Sequence, residues 1–252
     1  MMVMPSSGPA DLADQVVVLT GATGDIGQAT SWALAGCGAI VVATDIHESS
    51  DVFDADERID YRPLDVTSRA SADEVIANVM ADHGRLDIAV LAAGIATTNP
   101  IDKVEEDEWE TVMDINVYGV MNIARAVVPI MRERGFGKIV AIGSIAGRLG
   151  GVASGAAYAA SKGAVHALIK NIARNNANQG IYANAVAPGP VSGTMWGEVI
   201  HGGNPPDPAS WVPTERFGTP SDIAQAIVYL ASPQSNWVTG QVLDVNGGML
   251  MV

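Results

Sequence analysis

The run VVVLTGATGDIG, residues 16–27, sets the predicted fold of this chain. Its first part, Val16–Leu19, is a short apolar run, typical of a strand buried on both faces. The glycine-rich part comes directly before a helical pattern over Ile26–Ala35. Glycines at a strand-to-helix turn let the backbone approach a pyrophosphate, whose charge the helix N-terminus stabilises. The run therefore predicts the first strand, turn and helix of a dinucleotide-binding sheet, although a glycine triplet alone is a weak signal.

Short apolar runs and helical patterns continue to alternate along the chain. Further strands are predicted at Ala39–Ala43, Ile88–Leu91, Lys138–Ile142, Ala183–Ala187 and Gln241–Val245. Further helices are predicted at Ala72–Asp82, Glu108–Met131, Ala159–Asn175 and Ser221–Ala231. This alternation predicts an α/β fold, a Rossmann-like, doubly wound parallel sheet in a single domain. We assign residues 12–252 to that domain and residues 1–11 to a flexible N-terminal tail.

One segment, residues 201–220, differs from the rest in composition. It holds five prolines and shows little periodicity, so it is predicted to be a loop. Long loops in compact domains often cover functional sites, and we expect this one to lie on the substrate side.

The charge and the single cysteine exclude several classes of protein. The 252 residues carry 14 Lys and Arg against 28 Asp and Glu, a net charge of −14. Such a chain is a poor general binder of nucleic-acid phosphates or anionic membrane surfaces. Cys37 is the only cysteine, which excludes an intrachain disulfide and fits a reducing compartment. With no apolar run of membrane-spanning length and no secretory signal, the cytoplasm is the expected location.

Asp45 ends the second predicted strand, 18 residues after Gly27. This is near the spacing of the acid that holds the ribose hydroxyls of a dinucleotide. A 2′-phosphate about 4 Å away would be disfavoured by roughly 4 kcal/mol at an effective dielectric of 20. No Arg or Lys lies between Gly21 and Arg58 to offset this repulsion. We therefore predict NAD rather than NADP.

Tyr158 and Lys162 lie at the start of a predicted helix, with a spacing that places phenol and ammonium on one face. Acid–base work near neutral pH needs the tyrosine pKa to fall by about 3 units from about 10. A poorly solvated ammonium nearby, with the nicotinamide charge, favours such a fall. Ser144 follows a strand 14 residues earlier and can hold a substrate oxygen, while Asn116 is a polar residue within an otherwise apolar helix.

Together these residues resemble the short-chain dehydrogenase/reductase family, in its short single-domain branch. The likeness runs from about Leu12 to Gly248. Besides the residues above, it rests on LDV at 64–66, AAG at 92–94, NAVAPG at 184–189, VTGQ at 238–241 and NGG at 246–248. Each motif is weak alone, but in this order and spacing they are highly specific.

The resemblance implies a role for each matching residue. Tyr158 would be the general acid/base, Lys162 would lower its pKa and bind the nicotinamide ribose, Ser144 would position the substrate oxygen, and Asn116 would hold a water. The remaining implied cofactor contacts are Gly21, Thr23, Asp25, Ile26, Asp45, Asp65, Val66, Ala92, Ala93, Gly94, Pro188, Gly189, Val191 and Thr194. The family also implies a homotetramer or homodimer built on the helices that contain Asn116 and Lys162.

The chain departs from the family pattern at three places. Asp25 stands where the short branch usually has glycine, and it would face the anionic pyrophosphate. Leu91-Ala92 replaces an Asn-Asn pair, one asparagine of which is thought to brace a central strand. The usual threonine after the Pro-Gly turn falls on Gly193, with Thr194 one residue later.

The sequence thus predicts an NAD-dependent oxidoreductase acting on a secondary alcohol or ketone, such as a sugar, polyol, hydroxysteroid or other cyclic or small alcohol. Two alternatives stay open: a 3-ketoacyl-(acyl-carrier-protein) reductase and a non-catalytic NAD-sensing protein. No metal is expected, because His47, His83, His166 and His201 lack ligand spacing. Trp196 and Trp211 flank the proline-rich loop. Either they pack in the core or they face the substrate, and Trp196 is the predicted substrate contact.

Overall fold

The computed structural model describes residues 10–193 and 195–252, apart from the side chain of Trp196. Most of the predicted N-terminal tail therefore falls outside the described residues. Among the first described residues, Leu12 is fully buried and Ala10 is partly buried against the same hydrophobic core.

The sheet has seven strands, all parallel, in the order β3-β2-β1-β4-β5-β6-β7. The strands are β1 (Val16–Thr20), β2 (Ile40–Asp45), β3 (Ile59–Pro63), β4 (Ile88–Leu91), β5 (Gly137–Ile142), β6 (Ile181–Pro188) and β7 (Val242–Val245). The predicted Rossmann-like fold is confirmed.

The helices connect successive strands. They are α1 (Asp25–Gly36), α2 (Arg69–His83), α3 (Glu106–Met113), α4 (Gly119–Arg134), α5 (Ala146–Leu149), α6 (Ala156–Asn176) and α7 (Pro220–Ala231). Wider π-helical turns lie at Asp114–Tyr118, between α3 and α4, and at Met195–Ile200. None of the described helices is long and apolar enough to cross a bilayer.

Two hydrophobic clusters cover the two faces of the sheet. On one face, Val79, Ile123 and Ile169 from α2, α4 and α6 pack against the strands. On the other face, Leu34 of α1 and Ile227 of α7 do so. Because both faces are covered, the central strands are apolar throughout, which is why short apolar runs in the sequence predicted them correctly.

The strand order reverses between β1 and β4. The chain continues outward from β1 through β2 and β3, and then returns to β4 on the other side of β1. In open parallel sheets, ligands bind beyond the carboxyl ends of the strands at this crevice. The glycine loop follows β1 and the 92–94 segment follows β4, so the two border the crevice.

Two predictions about elements need correction. Strand β3 was not predicted, since only Ile59 of its five residues is buried and the apolar run of the other strands is absent. The single helix predicted over Glu108–Met131 is two helices joined by the π-turn at Asp114–Tyr118. The other predicted strands and helices are present, with ends shifted by a few residues.

Candidate active site

The glycine loop lies against the end of β4. Gly21 has φ of +68°, and a Cβ there would lie 2.7 Å from the Ala93 backbone. Thr20 Oγ1 accepts hydrogen bonds from the Ala92 and Ala93 N–H groups, both at 3.2 Å. Only a residue without a side chain fits this approach at this φ. The loop and strand end therefore form a backbone-lined cradle that fits a pyrophosphate.

Asp45 at the end of β2 is tied to the same loop. Its Oδ2 accepts from the Thr23 N–H at 3.0 Å and from the Thr23 hydroxyl at 2.8 Å, and its Oδ1 accepts from the Ile46 N–H at 2.8 Å. These bonds fix the carboxylate at the cavity wall, where a ribose diol would meet acceptors and a 2′-phosphate would meet negative charge.

A continuous cavity of about 1060 Å³ runs from this loop across the carboxyl edge of the sheet. It is large enough for a dinucleotide and a small substrate. Its lining includes every predicted cofactor residue except Thr194, which lies outside the described residues: Gly21, Thr23, Asp25, Ile26, Asp45, Asp65, Val66, Ala92, Ala93, Gly94, Tyr158, Lys162, Pro188, Gly189 and Val191. The predicted substrate contact through the Trp196 side chain also lies outside them.

Ser144 and Tyr158 meet on the wall of this cavity. Ser144 follows β5, Tyr158 lies in the first turn of α6, and they are 7% and 8% exposed. Burial raises the pKa of Tyr158, while a hydrogen bond with the Ser144 hydroxyl acts in the opposite direction. In the protein alone the phenol is therefore held protonated, ready to donate a proton to an oxygen beside it.

Lys162 lies one helical turn after Tyr158 and is 5% exposed. Its Nζ donates to the Ile142 carbonyl at 2.9 Å and lies 5.6 Å from the centroid of the Tyr158 ring. Burial lowers the pKa of Lys162 to about 8. The expected fall in the Tyr158 pKa is thus absent from the protein alone, because desolvation of the phenol outweighs the hydrogen bond with Ser144.

Asn116 lies behind the cavity wall, in the π-turn between α3 and α4. It is fully buried; its Oδ1 accepts from the Ile95 N–H and its Nδ2 donates to the Ile95 carbonyl, both at 2.9 Å. Nδ2 also donates to the Ser161 hydroxyl at 2.9 Å. A Cβ at Gly94 would lie within 3.3 Å of both Asn116 Oδ1 and Lys162 Nζ, so both side chains lie close to Gly94.

His166 contacts the site but was not predicted as part of it. It lies one turn beyond Lys162 on α6 and is 6% exposed, and its Nε2 accepts from the Ser144 N–H at 3.4 Å. Burial, then the cations Arg148, Lys162 and Lys170, lower the pKa of His166 to about 4. The imidazole is therefore neutral at physiological pH. The sequence signal that could have identified His166 is its spacing of eight residues from Tyr158, because residues four and eight apart lie on the same face of a helix.

Part of the cavity wall is apolar. Leu149, Val152, Met195 and Val199 line it although each is more than one third exposed. Ile95, Ala96, Ile200, Trp211 and Met249 line the cavity as well. Sequence analysis missed most of these residues, because they lie in short helical turns and loops, where the sequence is too short for periodicity to mark a buried face. Of the two tryptophans considered, Trp211 does line the cavity.

Charge in the cavity is mostly negative. Lys162 is the only Lys or Arg among the described residues that line it, against the carboxylates of Asp25, Asp45, Asp65 and Asp114. In the described part of the chain, no three His, Cys, Asp or Glu residues are grouped so as to hold a metal ion.

Comparison with known proteins agrees with this geometry. The model of a protein family described as enoyl-(acyl carrier protein) reductase matches residues 21–250. The 3-oxoacyl-[acyl-carrier-protein] reductase FabG of Thermotoga maritima is 36% identical over 95% of this chain and 99% of its own length. FabG of Escherichia coli is 34% identical over 94% of this chain and 98% of its own. The solved structure titled "Crystal structure of gox2181" matches with a TM-score of 0.88 at 31% identity, over 95% of this chain and 96% of that one.

The chain therefore belongs to the short-chain dehydrogenase/reductase family. It is an NAD(P)-dependent oxidoreductase that acts on CH–OH and C=O groups.

Proposed function

We propose that this protein uses NAD(H) to interconvert 3-oxoacyl and 3-hydroxyacyl groups. The observation that carries the oxidoreductase chemistry is the meeting of Ser144, Tyr158 and Lys162 on the cavity that begins at the glycine loop. The names of the curated relatives and the apolar cavity wall support an acyl substrate. They favour the 3-ketoacyl alternative over the broader range of secondary alcohols expected from the sequence.

The proton chemistry follows from the burial of Tyr158 and its bond with Ser144. A bound nicotinamide supplies or accepts the hydride at the reacting carbon. In reduction, the Tyr158 hydroxyl gives its proton to the carbonyl oxygen as that oxygen gains charge, and Ser144 holds the same oxygen. Lys162 stabilises the resulting phenolate. Tyr158 then regains a proton through Lys162 and a water held beside Asn116; in oxidation every transfer runs in reverse.

The choice of NAD rests on Asp45. Thr23 holds its carboxylate at the cavity wall, and none of the described residues lining the cavity is an Arg that could offset a 2′-phosphate. The relatives' names do not specify a cofactor, so the proposed preference for NAD over NADP rests on the Asp45 carboxylate alone.

The charges also restrict the substrate. Four lining carboxylates disfavour a free keto acid, whereas a neutral thioester or ester fits the apolar wall. A cyclic or other apolar ketone remains the second candidate, because the same wall would bind it. Sugars and polyols fit least well, because the apolar wall offers few partners for their hydroxyls.

The test measures NADH and NADPH oxidation with a panel of carbonyl compounds. The panel is a neutral acetoacetyl thioester, the same acyl group on a carrier protein, acetoacetate, a cyclic ketone and a ketose. We expect NADH and an acetoacetyl thioester to give the highest kcat/KM. If the cyclic ketone or the ketose is the best substrate, the acyl proposal is wrong.

Tyr158→Phe tests the proton role within the same assay. We expect turnover to fall at least about a thousandfold while NADH binding, followed by fluorescence, stays within about threefold. Tyr229→Phe, on the outer side of α7, is the matched control and should leave both quantities unchanged. Retained activity in Tyr158→Phe would contradict the mechanism, and NADH binding without turnover on any substrate would favour the NAD-sensing alternative.

Oligomeric state and location remain predictions. We propose a homo-oligomer built on the helical segments that contain Asn116 and Lys162, to be checked by sedimentation, and a cytoplasmic location consistent with the single free Cys37.

A further inference from the structure

Two of the departures from the family pattern, Asp25 and Gly193, lie next to each other in the structure. Asp25 is the first residue of α1, and Gly193 is the last described residue before the π-turn Met195–Ile200. Residue 25 is aspartate where the family usually has glycine, and residue 193 is glycine where the family usually has threonine.

The geometry shows that the two positions share one space. A Cβ built on Gly193 would lie 2.5 Å from Asp25 Oδ2, 2.8 Å from its Cγ and 3.4 Å from its Cβ. The carboxyl group of Asp25 thus occupies the volume that a side chain at residue 193 needs. Gly193 also has φ of +139°, so its backbone conformation independently favours glycine.

The contact lies at the base of the segment that leads into the substrate-side loop, residues 201–220. Immediately before it, the chain is held by a bridge between Val191 and Gly218, with Ser192 N–H donating to the Gly218 carbonyl at 2.8 Å and Gly218 N–H donating to the Pro190 carbonyl at 3.0 Å. Gly193 follows this base directly and lies against the Asp25 carboxyl group.

The segment that leaves Gly193 carries much of the apolar cavity wall. Met195, Val199 and Ile200 line the cavity from the π-turn, and Trp211 lines it from farther along. Their position relative to Tyr158 depends on the path of the chain as it leaves residue 193.

We propose that Asp25 is a positioning residue whose side chain packs against Gly193 and so sets the path of the substrate-side loop. The Asp25 side chain fills the space that a side chain at residue 193 would need. Its carboxylate therefore contacts Gly193 and also lies at the rim of the dinucleotide cradle. The consequence for substrate binding rests on the proposed function, whereas the contact itself exists without any ligand.

A double-mutant cycle tests the contact without any turnover. Gly193→Ala is made in the natural background and together with Asp25→Gly, and the rate of cleavage after Glu198 by a glutamate-specific protease is measured without cofactor. Cleavage after Glu57, in a loop at the other edge of the sheet, is the internal reference. Backbone strain at residue 193 is the same in both backgrounds, but the displaced carboxylate is present in only one.

We expect Gly193→Ala to speed cleavage after Glu198 by about tenfold in the natural background and by about twofold in the Asp25→Gly background, a coupling typical of residues in contact. Gly197→Ala is the matched control: a Cβ there meets nothing within 4 Å, and the rate should change less than twofold in both backgrounds. Equal effects of Gly193→Ala in the two backgrounds would overturn the proposal.

The proposal predicts that changing Asp25 affects the KM for the substrate but not the binding of NADH. Asp25→Gly should raise KM for the carbonyl substrate about tenfold without weakening NADH binding, since it removes negative charge near the pyrophosphate. Asp25→Asn keeps the bulk, so its substrate KM should stay within about twofold. Weaker NADH binding with unchanged substrate KM would contradict the proposed role. A natural enzyme with no turnover would instead reject the proposed function, and the proteolysis cycle would still decide the contact.

Discussion

The proposed preference for NAD rests on one side chain, Asp45, that is held by its neighbours. Its carboxylate cannot easily turn away from a ligand, because three hydrogen bonds, two of them from Thr23, hold both oxygens. Fixed charge at a cavity wall discriminates better than a mobile surface charge, since no rearrangement relieves the repulsion.

We expect Asp45→Ala to relax the preference for NADH. Loss of the repulsion should improve kcat/KM for NADPH about tenfold to a hundredfold, while loss of the ribose acceptor should weaken use of NADH. Steady-state kinetics with both cofactors gives the ratio. Asp114→Asn is the control, because this carboxyl lines the same cavity and is not among the predicted cofactor contacts. An unchanged NADH-to-NADPH ratio in Asp45→Ala would refute the role.

Helix α7 closes the substrate-side loop at its far end. The loop leads into Thr219, whose hydroxyl accepts from the Asp222 N–H at 3.3 Å while Asp222 accepts from the Thr219 N–H at 2.7 Å. Pro220 occupies the first helical position, where no amide donor is needed. Arg216, still in the loop, donates to both Asp222 oxygens through its two terminal guanidinium nitrogens. The helix start thereby fixes the last residues of the loop.

Thr219→Ala should lower the free energy of unfolding by about 1 kcal/mol, because it removes one half of this capping box. Urea unfolding at pH 7 measures the change, and Ser221→Ala, an exposed position in the same turn, is the control. The Arg216 hydrogen bond, with the Thr219 amide, lowers the pKa of Asp222. The stabilisation by this carboxyl is therefore complete above its unfolded pKa of about 4 and is lost as the pH falls further. A loss no larger than that of Ser221→Ala would show that the cap does not stabilise the helix.

The π-turn between α3 and α4 is a feature that the periodicity of apolar residues did not predict. The apolar pattern predicted one helix through this region and is correct for the buried faces on both sides. The extra residue per turn aims the Asn116 amide at both the N–H and carbonyl of Ile95. Local helix propensity does not predict such a turn, because the turn is stabilised by hydrogen bonds to the Ile95 backbone, which is distant in the sequence.

Acid stability of the whole molecule should depend on His166. The unfolded imidazole has a pKa of about 6.5, and the folded one has a pKa of about 4 because of burial and nearby cations. Unfolded chains therefore bind a proton first as the pH falls. The contribution of this residue is full above about pH 6.5 and is lost on the way down to about pH 4.

We expect the free energy of unfolding to fall by about 1.4 kcal/mol per pH unit over this range from His166 alone. His166→Leu should flatten that slope in urea unfolding between pH 7 and 5, and His47→Asn, at an exposed position, should not. A slope unaffected by His166→Leu would mean that other groups cause the acid sensitivity.

The amino-acid sequence by itself determined the alternation of strands and helices, the residues at the carboxyl ends of β1, β2, β4, β5 and β6, and the spacing of Tyr158 and Lys162 on one helix. These features are local: burial on both faces makes a strand apolar, and one helical turn brings residues four apart together. Only the tertiary structure decided the edge strand β3, the bond from Ser144 to His166 and the contact of Asp25 with Gly193. Such features depend on which distant segments the crossovers place side by side, and no local pattern of burial records that.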